Sequence, residues 1–498
     1  MNLTKKLFSY IVAIAMIFTL TAFAGGAVNA AGAKTYALTL QNNGKTTHTF
    51  EVYQIFTGDL SESTLSNVQW GSGVSDEGKT ALGNAAEKAK VLADSTDPSA
   101  AKTFAESLQD YLQNGTEKEV GANKTATIEG LAAGYYLVKD KADSQNGQQD
   151  GAYTSYILKV VKDTTATTKL DVPTVEKKVK DTNDSTGETS DWQDSADYDI
   201  GDDVPYQITG TMPSKIADYT SYKYVFTDTM SKGLTYTANN AKIKIGEKDV
   251  TSSFKEEVTT KEDGLTVVTW TCDDLKTAGV ELTQTTKVVV NYTAKLNENA
   301  VIGAKGNPNT VNLTYSNNPN KGGEGETGKT PDDKNIVFTY KAVVNKKDQD
   351  NKSLKGAGFT LQKKVNGAYK DVKSFTAGED TTFTFSGLDD GDYKLTETTT
   401  PAGYNTIAPI EFTISATHDV ESDDPKLLTL SGNATTGEAK FTASTTDGSL
   451  TTDVVNKKGS TLPETGGMGT TLLYAVGGVL VALAAAYIII SKKHEKAE

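Results

Sequence analysis

Two lysines in this 498-residue chain stand where a charged side chain is costly. In Tyr340-Lys341-Ala342-Val343-Val344-Asn345-Lys346-Lys347, strand alternation puts Tyr340, Ala342, Val344 and Lys346 on one face. Lys346 therefore points where the apolar residues point, and Lys347 points to solvent. Val175, Lys177 and Val179 share a face in the same way. So do Asn309, Val311, Leu313 and Tyr315, and likewise Tyr224, Phe226 and Asp228. A one-residue slip would exchange Lys177 for Lys178 and Asn309 for Asn312. A lysine, an asparagine and an aspartate on core-facing positions destabilise a fold unless they pair or react. Other chemistry is absent from the pattern. His48 and His418 stand alone in their strands, and His494 is in the tail. There is no metal-ligand spacing, nucleophile motif or phosphate loop, so neither metal nor cofactor is expected. The pairs Asp389-Asp390 and Asp423-Asp424 read as solvated turns.

Near the C-terminus, Leu462-Pro463-Glu464-Thr465-Gly466 precedes an apolar run from Thr470 to Ile490 and a tail opening with Lys492-Lys493. Roughly 20 apolar residues suffice to cross about 30 Å of hydrocarbon as a helix. The lysines are the expected cytoplasmic stop, so 470–490 is expected to be transmembrane. This order of pentapeptide, span and charge resembles the cell-wall sorting signal of Gram-positive surface proteins. The resemblance implies a sortase cysteine that attacks the Thr465 carbonyl and releases Gly466 onward. Thr465 then becomes amide-bonded to an amine elsewhere. At the other end, Lys5-Lys6, an apolar run from Leu7 to Phe23 and small-x-small sites at Val28-Asn29-Ala30 and Ala31-Gly32-Ala33 read as a secretory signal peptide over 1–30.

The intervening part, roughly 400 residues, is too long for one core, and three domains are expected: 31–170, 171–330 and 331–459, ahead of a sorting region over 460–498. Abundant Thr and Tyr favour strands. Short alternating runs separated by turn residues predict an all-β chain of tandem immunoglobulin-like β-sandwiches. The first domain departs from this. Ala81, Ala85, Ala89 and Leu92, then Phe104, Leu108 and Leu112, fall at helical spacing and predict two inserted helices parted at Asp97-Pro98. A polar linker is expected from Asp163 to Val172. The net charge of −14 argues against a nucleic-acid partner. The only cysteine, Cys272, cannot make an internal disulfide and reads as a buried, inert thiol. If the molecule is mechanically robust, something other than sulfur must cross-link it.

In the last domain, Leu354-Lys355-Gly356-Ala357-Gly358-Phe359-Thr360-Leu361 follows Lys346-Lys347-Asp348, and Tyr393-Lys394-Leu395-Thr396-Glu397-Thr398 precedes Pro401-Ala402-Gly403-Tyr404. This resembles the Cna B-type immunoglobulin-like domain of Gram-positive pilins, with its E-box around Glu397. The resemblance implies an intramolecular isopeptide bond between Lys346 and Asn456, assisted by Glu397. The middle domain resembles that of backbone pilins and implies a second set: Lys177, Asn309 and the assisting Asp228. Burial lowers an ammonium pKa and raises a carboxyl pKa. The proton thus passes from lysine to acid, the free amine attacks the asparagine carbonyl, which the protonated acid polarises, and ammonia leaves. No comparable set occurs in the first domain, and no bond is expected there.

The resemblance further implies a major shaft subunit, not an enzyme, secreted and anchored in the wall as part of a fimbrium. Its partners would be other copies of itself joined head to tail, pilus-class and housekeeping sortases, minor pilins, peptidoglycan and host surface ligands. The acceptor amine would lie at the junction of the first two domains. This chain has no Tyr-Pro-Lys run there, and Lys169 is the expected acceptor, with Lys162 as the alternative. A wall-anchored adhesin or an ancillary tip or base pilin is the competing reading. It would call for a large inserted binding module, and only the helical insertion is visible.

Overall fold

The computed structural model describes residues 34–459 except 62, 63, 96, 98, 99, 169 and 170, together with 477–481 and 483–484. It contains three modules in series, each built on two facing sheets.

In the first module, Tyr36–Gln41 pairs antiparallel with Thr125–Leu131 and parallel with Thr164–Thr167. The opposing sheet runs Thr64–Trp70, His48–Ser61, Gly134–Asp140, Ser155–Val160, with Thr116–Val120 beside His48–Ser61. The insertion forms three helices rather than two: Asp76–Leu82, Ala85–Asp94 and Ala100–Ser107. The extra break has a local cause. Gly83 takes φ +81°, a conformation that suits glycine, and the Asn84 side chain accepts from Glu87 N as a fresh N-cap. Phe104 fastens the insertion to the sheets by stacking on Phe56 at 5.6 Å. The stretch expected as linker is partly structured, since Thr164–Thr167 is a strand of this module.

The middle module is a larger sandwich. One sheet runs Ser195–Asp197, Asp333–Phe338, Asn307–Ser316, Tyr224–Met230, Thr266–Cys272, Lys255–Thr260. The other runs Lys248–Asp249, Lys242–Ile245, Lys287–Leu296, Asp203–Thr211, Val175–Val179. Between them lie Trp270, Tyr206, Tyr222, Tyr224, Tyr315 and Phe226, all nearly inaccessible. Cys272 is buried here, and burial pushes its thiol up to about 11, which keeps it protonated and unreactive.

In the third module, Tyr340–Asp348 and Ser449–Asn456 lie side by side and parallel, flanked by Thr382–Leu388 and Thr442–Ser444. The facing sheet runs Ala368–Phe375, Gly358–Val365, Gly391–Thr399, Ile410–His418, Leu427–Ala434. The boundary expected at 331 falls ahead of a strand that both modules share. Asp333–Phe338 is hydrogen-bonded into the middle sheet, where Val337 joins the middle core, while Ile336 and Phe338 enter the third core.

The transmembrane expectation for 470–490 is corrected. Among the described residues no helix is long and apolar enough to cross a membrane. The described helical residues there, 477–481 and 483–484, would span about 10 Å at about 1.5 Å each. The rest of that segment lies outside the described residues, as do the signal peptide and Leu462, Pro463, Glu464, Thr465 and Gly466.

Candidate functional site

Two buried lysine sites stand one per module, in the second and third. In the third module, Lys346 and Asn456 lie on neighbouring parallel strands, the first and last of the sandwich, and both are fully buried. Glu397 reaches them from the facing sheet. Lys346 Nζ donates to Asn456 Oδ1 at 2.5 Å and to the Val454 carbonyl at 3.1 Å. Asn456 Nδ2 donates to both Glu397 oxygens at 2.9 and 3.1 Å, while Nζ stands 3.7 Å from Glu397 Oε1. The hydroxyls of Thr400 and Thr406 and the Ile407 N–H also donate to Glu397 Oε2, which holds the carboxylate in place. Desolvation depresses the Lys346 amine to about 8, with Glu397 pulling the other way.

The amide is thus gripped at both ends. Its oxygen faces the amine and its nitrogen faces the acid. Attack of Nζ on Asn456 Cγ would break the Cγ–Nδ2 bond, and Glu397 is positioned to supply a proton to the departing nitrogen. This differs from the expectation that the acid polarises the carbonyl, because the carboxylate lies on the leaving group.

In the middle module, Lys177, Asp228 and Asn309 are all fully buried. Lys177 Nζ donates to Asp228 Oδ1 at 2.8 Å. The lysine and asparagine are linked through a residue that sequence reasoning missed. Tyr292 Oη accepts from Lys177 Nζ at 2.5 Å and from Asn309 Nδ2 at 2.9 Å, and donates to Asp228 Oδ2 at 2.5 Å. The faces of Tyr206 and Tyr292 cover the ammonium at 5.0 and 4.9 Å. Burial lowers the Lys177 pKa against the opposing pull of Asp228. Asn309 Oδ1 has no hydrogen-bond partner. Asn335, opposite Asn309 across the strands, is fully buried with both side-chain atoms unpartnered. Tyr292 could have been found from alternation, since it lies on the inward face with Val288, Val290 and Ala294.

The register alternatives face elsewhere. Lys178 pairs with Asp194 at 2.8 Å, and Asn312 donates to Asp332 at 3.0 Å. Lys162 is exposed between Ser155–Val160 and Thr164–Thr167, and Lys169 lies outside the described residues.

Three readings are revised. His48 is not solitary: its Nδ1 lies 2.8 Å from Asp140, both buried, and Asp140 also accepts from Thr154 N. His418 contacts Ser195 Oγ at 2.7 Å through Nδ1, with Nε2 3.5 Å from Asp181. Asp389 is fully buried rather than solvated, with Lys363 Nζ 3.0 Å from its Oδ2. Tertiary packing brings distant strands over each of them, which spacing along the chain does not reveal.

Residues 200–319 match the Gram-positive pilin backbone subunit 2, Cna-B-like domain. Residues 341–426 match the SpaA prealbumin-like fold domain, and residues 454–497 match the LPXTG cell wall anchor motif. The chain is 23% identical over 389 residues, 66% of its length and 70% of the relative's, to the trypsin-resistant surface T6 protein of Streptococcus pyogenes serotype M6. Among solved structures, the T6 backbone pilin of serotype M6 Streptococcus pyogenes, described as a modular three-domain structure, superposes with a TM-score of 0.54 at 18% identity, covering 87% of this chain and all of that one. The full-length major pilin SpaD of Corynebacterium diphtheriae gives 0.47 at 18% identity over 86% of this chain and 98% of its own.

Proposed function

We propose that this chain, a Gram-positive backbone pilin by its domains and its wall-anchor motif, is the repeating shaft subunit of a covalently joined surface fibre. It is a structural protein and a sortase substrate, displayed on the cell wall. The modules at 31–170, 171–330 and 331–459 form the shaft. Thr465 of one subunit is joined to Lys169 of the next, with Lys162 as second acceptor. The last-added copy is transferred to peptidoglycan.

One observation carries the reading: consecutive modules each bury a lysine, an asparagine and an acid, in direct contact in the third module and joined through Tyr292 in the middle one, ahead of an anchor motif. Such groups persist in a core only if they pair or react. Condensation of Lys177 with Asn309 and of Lys346 with Asn456 removes both ammonium groups as ammonia leaves. A covalent bracket then resists pulling where no disulfide exists.

Intact-mass measurement of the secreted chain should show the loss of two ammonia molecules. Glu397→Ala should restore one, and Asp228→Ala the other. Wall extracts should give a detergent-resistant ladder that Lys169→Ala abolishes. A full-mass chain would refute the brackets, and an unchanged ladder would move the acceptor to Lys162. A wall bearing single copies only would favour the adhesin reading.

A further inference from the structure

The joint between the middle and third modules holds a group of acids that the cross-linking chemistry does not use. Asp197 lies on the Ser195–Asp197 strand of the middle module, and Asp389 and Asp390 form the turn between Thr382–Leu388 and Gly391–Thr399 of the third. Each offers a carboxylate oxygen, and the three lie within 4.8 Å of one another. Asp197 is 2% exposed and Asp389 is fully buried. Their neighbours leave much of this charge unanswered. Lys363 contacts Asp389 through Oδ2 only and is shared with Asp199 at 2.6 Å and Asp184 at 3.3 Å. Asn183 donates to Asp390 Oδ1 at 2.6 Å. His418 is shared between Asp181 at 3.5 Å and Asp197, whose ligand atoms lie within 4.8 Å of its own. Asp389 Oδ1 and Asp197 Oδ2 accept no hydrogen bond of good geometry. Beside the acids, the Tyr340 hydroxyl is wholly buried, faces Asp197 and makes no hydrogen bond of good geometry.

We propose that Asp197, Asp389 and Asp390 bind one hard divalent cation, calcium by preference, that clasps the middle module to the third. Two oxygens on opposite sides of a calcium ion at about 2.4 Å stand about 4.8 Å apart, and calcium takes about 6–8 oxygens in flexible geometry. The carboxylate oxygens not taken by Lys363 and Asn183 supply part of that number, and the Tyr340 hydroxyl oxygen and water can complete it. Without a cation, three clustered carboxylates, two of them buried, repel one another across the joint. Because the ligands come from both modules, the ion would fix the angle at which they meet, which neither intramodule bracket can do.

The test uses the full chain, stripped with EDTA and dialysed against millimolar calcium chloride. The expected result is one calcium retained per chain and a thermal midpoint several degrees above that in EDTA. Asp389→Asn should lose both effects. Asp390→Asn alters only the half-buried ligand, should fold, and should weaken retention at least tenfold. Terbium chloride alone should give luminescence sensitised by tyrosine, reduced in Tyr340→Phe. The proposal fails if the wild-type chain retains no calcium, if both variants retain it undiminished, or if Asp389→Asn is stabilised equally with and without calcium. The last result would mean that the acids share protons instead. Loss of ammonia in the mass spectrum is independent of these outcomes, so the shaft reading and the cation site can fail separately.

Discussion

At the residue scale, the two lysine sites reach similar ends by different contacts. In the third module the amine touches the amide directly, and the acid grips the amide nitrogen. In the middle module the Tyr292 hydroxyl stands between lysine and asparagine and also binds the acid. Tyr292→Phe should leave Lys177 on Asp228 but release Asn309 Nδ2. Cross-linking in that module should then be slow and incomplete, read as a mixed mass of one and two ammonia losses. An unaltered double loss would show that the hydroxyl only fills space. The stability loss should be about 1–3 kcal/mol, the usual consequence of leaving a buried polar group unpaired. A second residue-scale prediction concerns pH. With its bond blocked by Asn456→Ala, Lys346 titrates near 8 in the fold against an ordinary 10.5. The folded state then binds fewer protons than the unfolded state between those values, so stability rises with pH across that window and is flat below it. A thermal midpoint that falls from pH 8 to 10.5, relative to a Lys346→Met control, would contradict the assigned shift.

At the element scale, what matters is which strands the proposed brackets would join. Lys346 and Asn456 lie on the parallel first and last strands of the third module, 110 residues apart in sequence. Tension along the chain would enter one strand and leave by the other, so the proposed bond would divert it past everything between. By analogy with disulfides, closing a loop of about 100 residues contributes roughly 4–5 kcal/mol on a chain-entropy model. The mechanical effect of such a bond would be larger. In single-molecule pulling, the intact third module should release none of its enclosed chain. Asn456→Ala should release about 110 residues, or roughly 370 Å at about 3.4 Å per residue. Release of that length from the unaltered chain would rule out the bracket. The insertion helices are a different kind of element: each is too short to persist alone, and Phe104 stacked on Phe56 and Trp70 docks them to the first module.

At the scale of the whole molecule, three sandwiches in series are joined by a shared strand and by hydrogen bonds as well as by the chain. Asp333–Phe338 belongs to the sheet of one module and sends Phe338 into the core of the next. At the first joint, Gly147 N donates to the Thr327 carbonyl and Asn317 Nδ2 to the Gln145 carbonyl at 2.8 Å. These hydrogen bonds cross from the first module to the middle one. The proposed shaft role needs such continuity, because covalent links at each end would transmit force only as well as the least rigid joint between.

Much of this was legible from the residue order alone. Strand alternation singles out Lys346, Lys177, Asn309 and Asp228 as inward-facing, because a period of two is a local property that distant contacts do not alter. The all-β character, the helical insertion and the LPXTG motif are likewise written in spacing and composition. Only the tertiary structure decides who meets whom. It brings Tyr292 between Lys177 and Asn309, puts Glu397 on the leaving nitrogen rather than the carbonyl oxygen, divides the insertion at Gly83, and buries Asp389 against Asp197 from another module. Each of these depends on sheets facing one another across a core, a relation between residues far apart in the chain, for which period and composition hold no record.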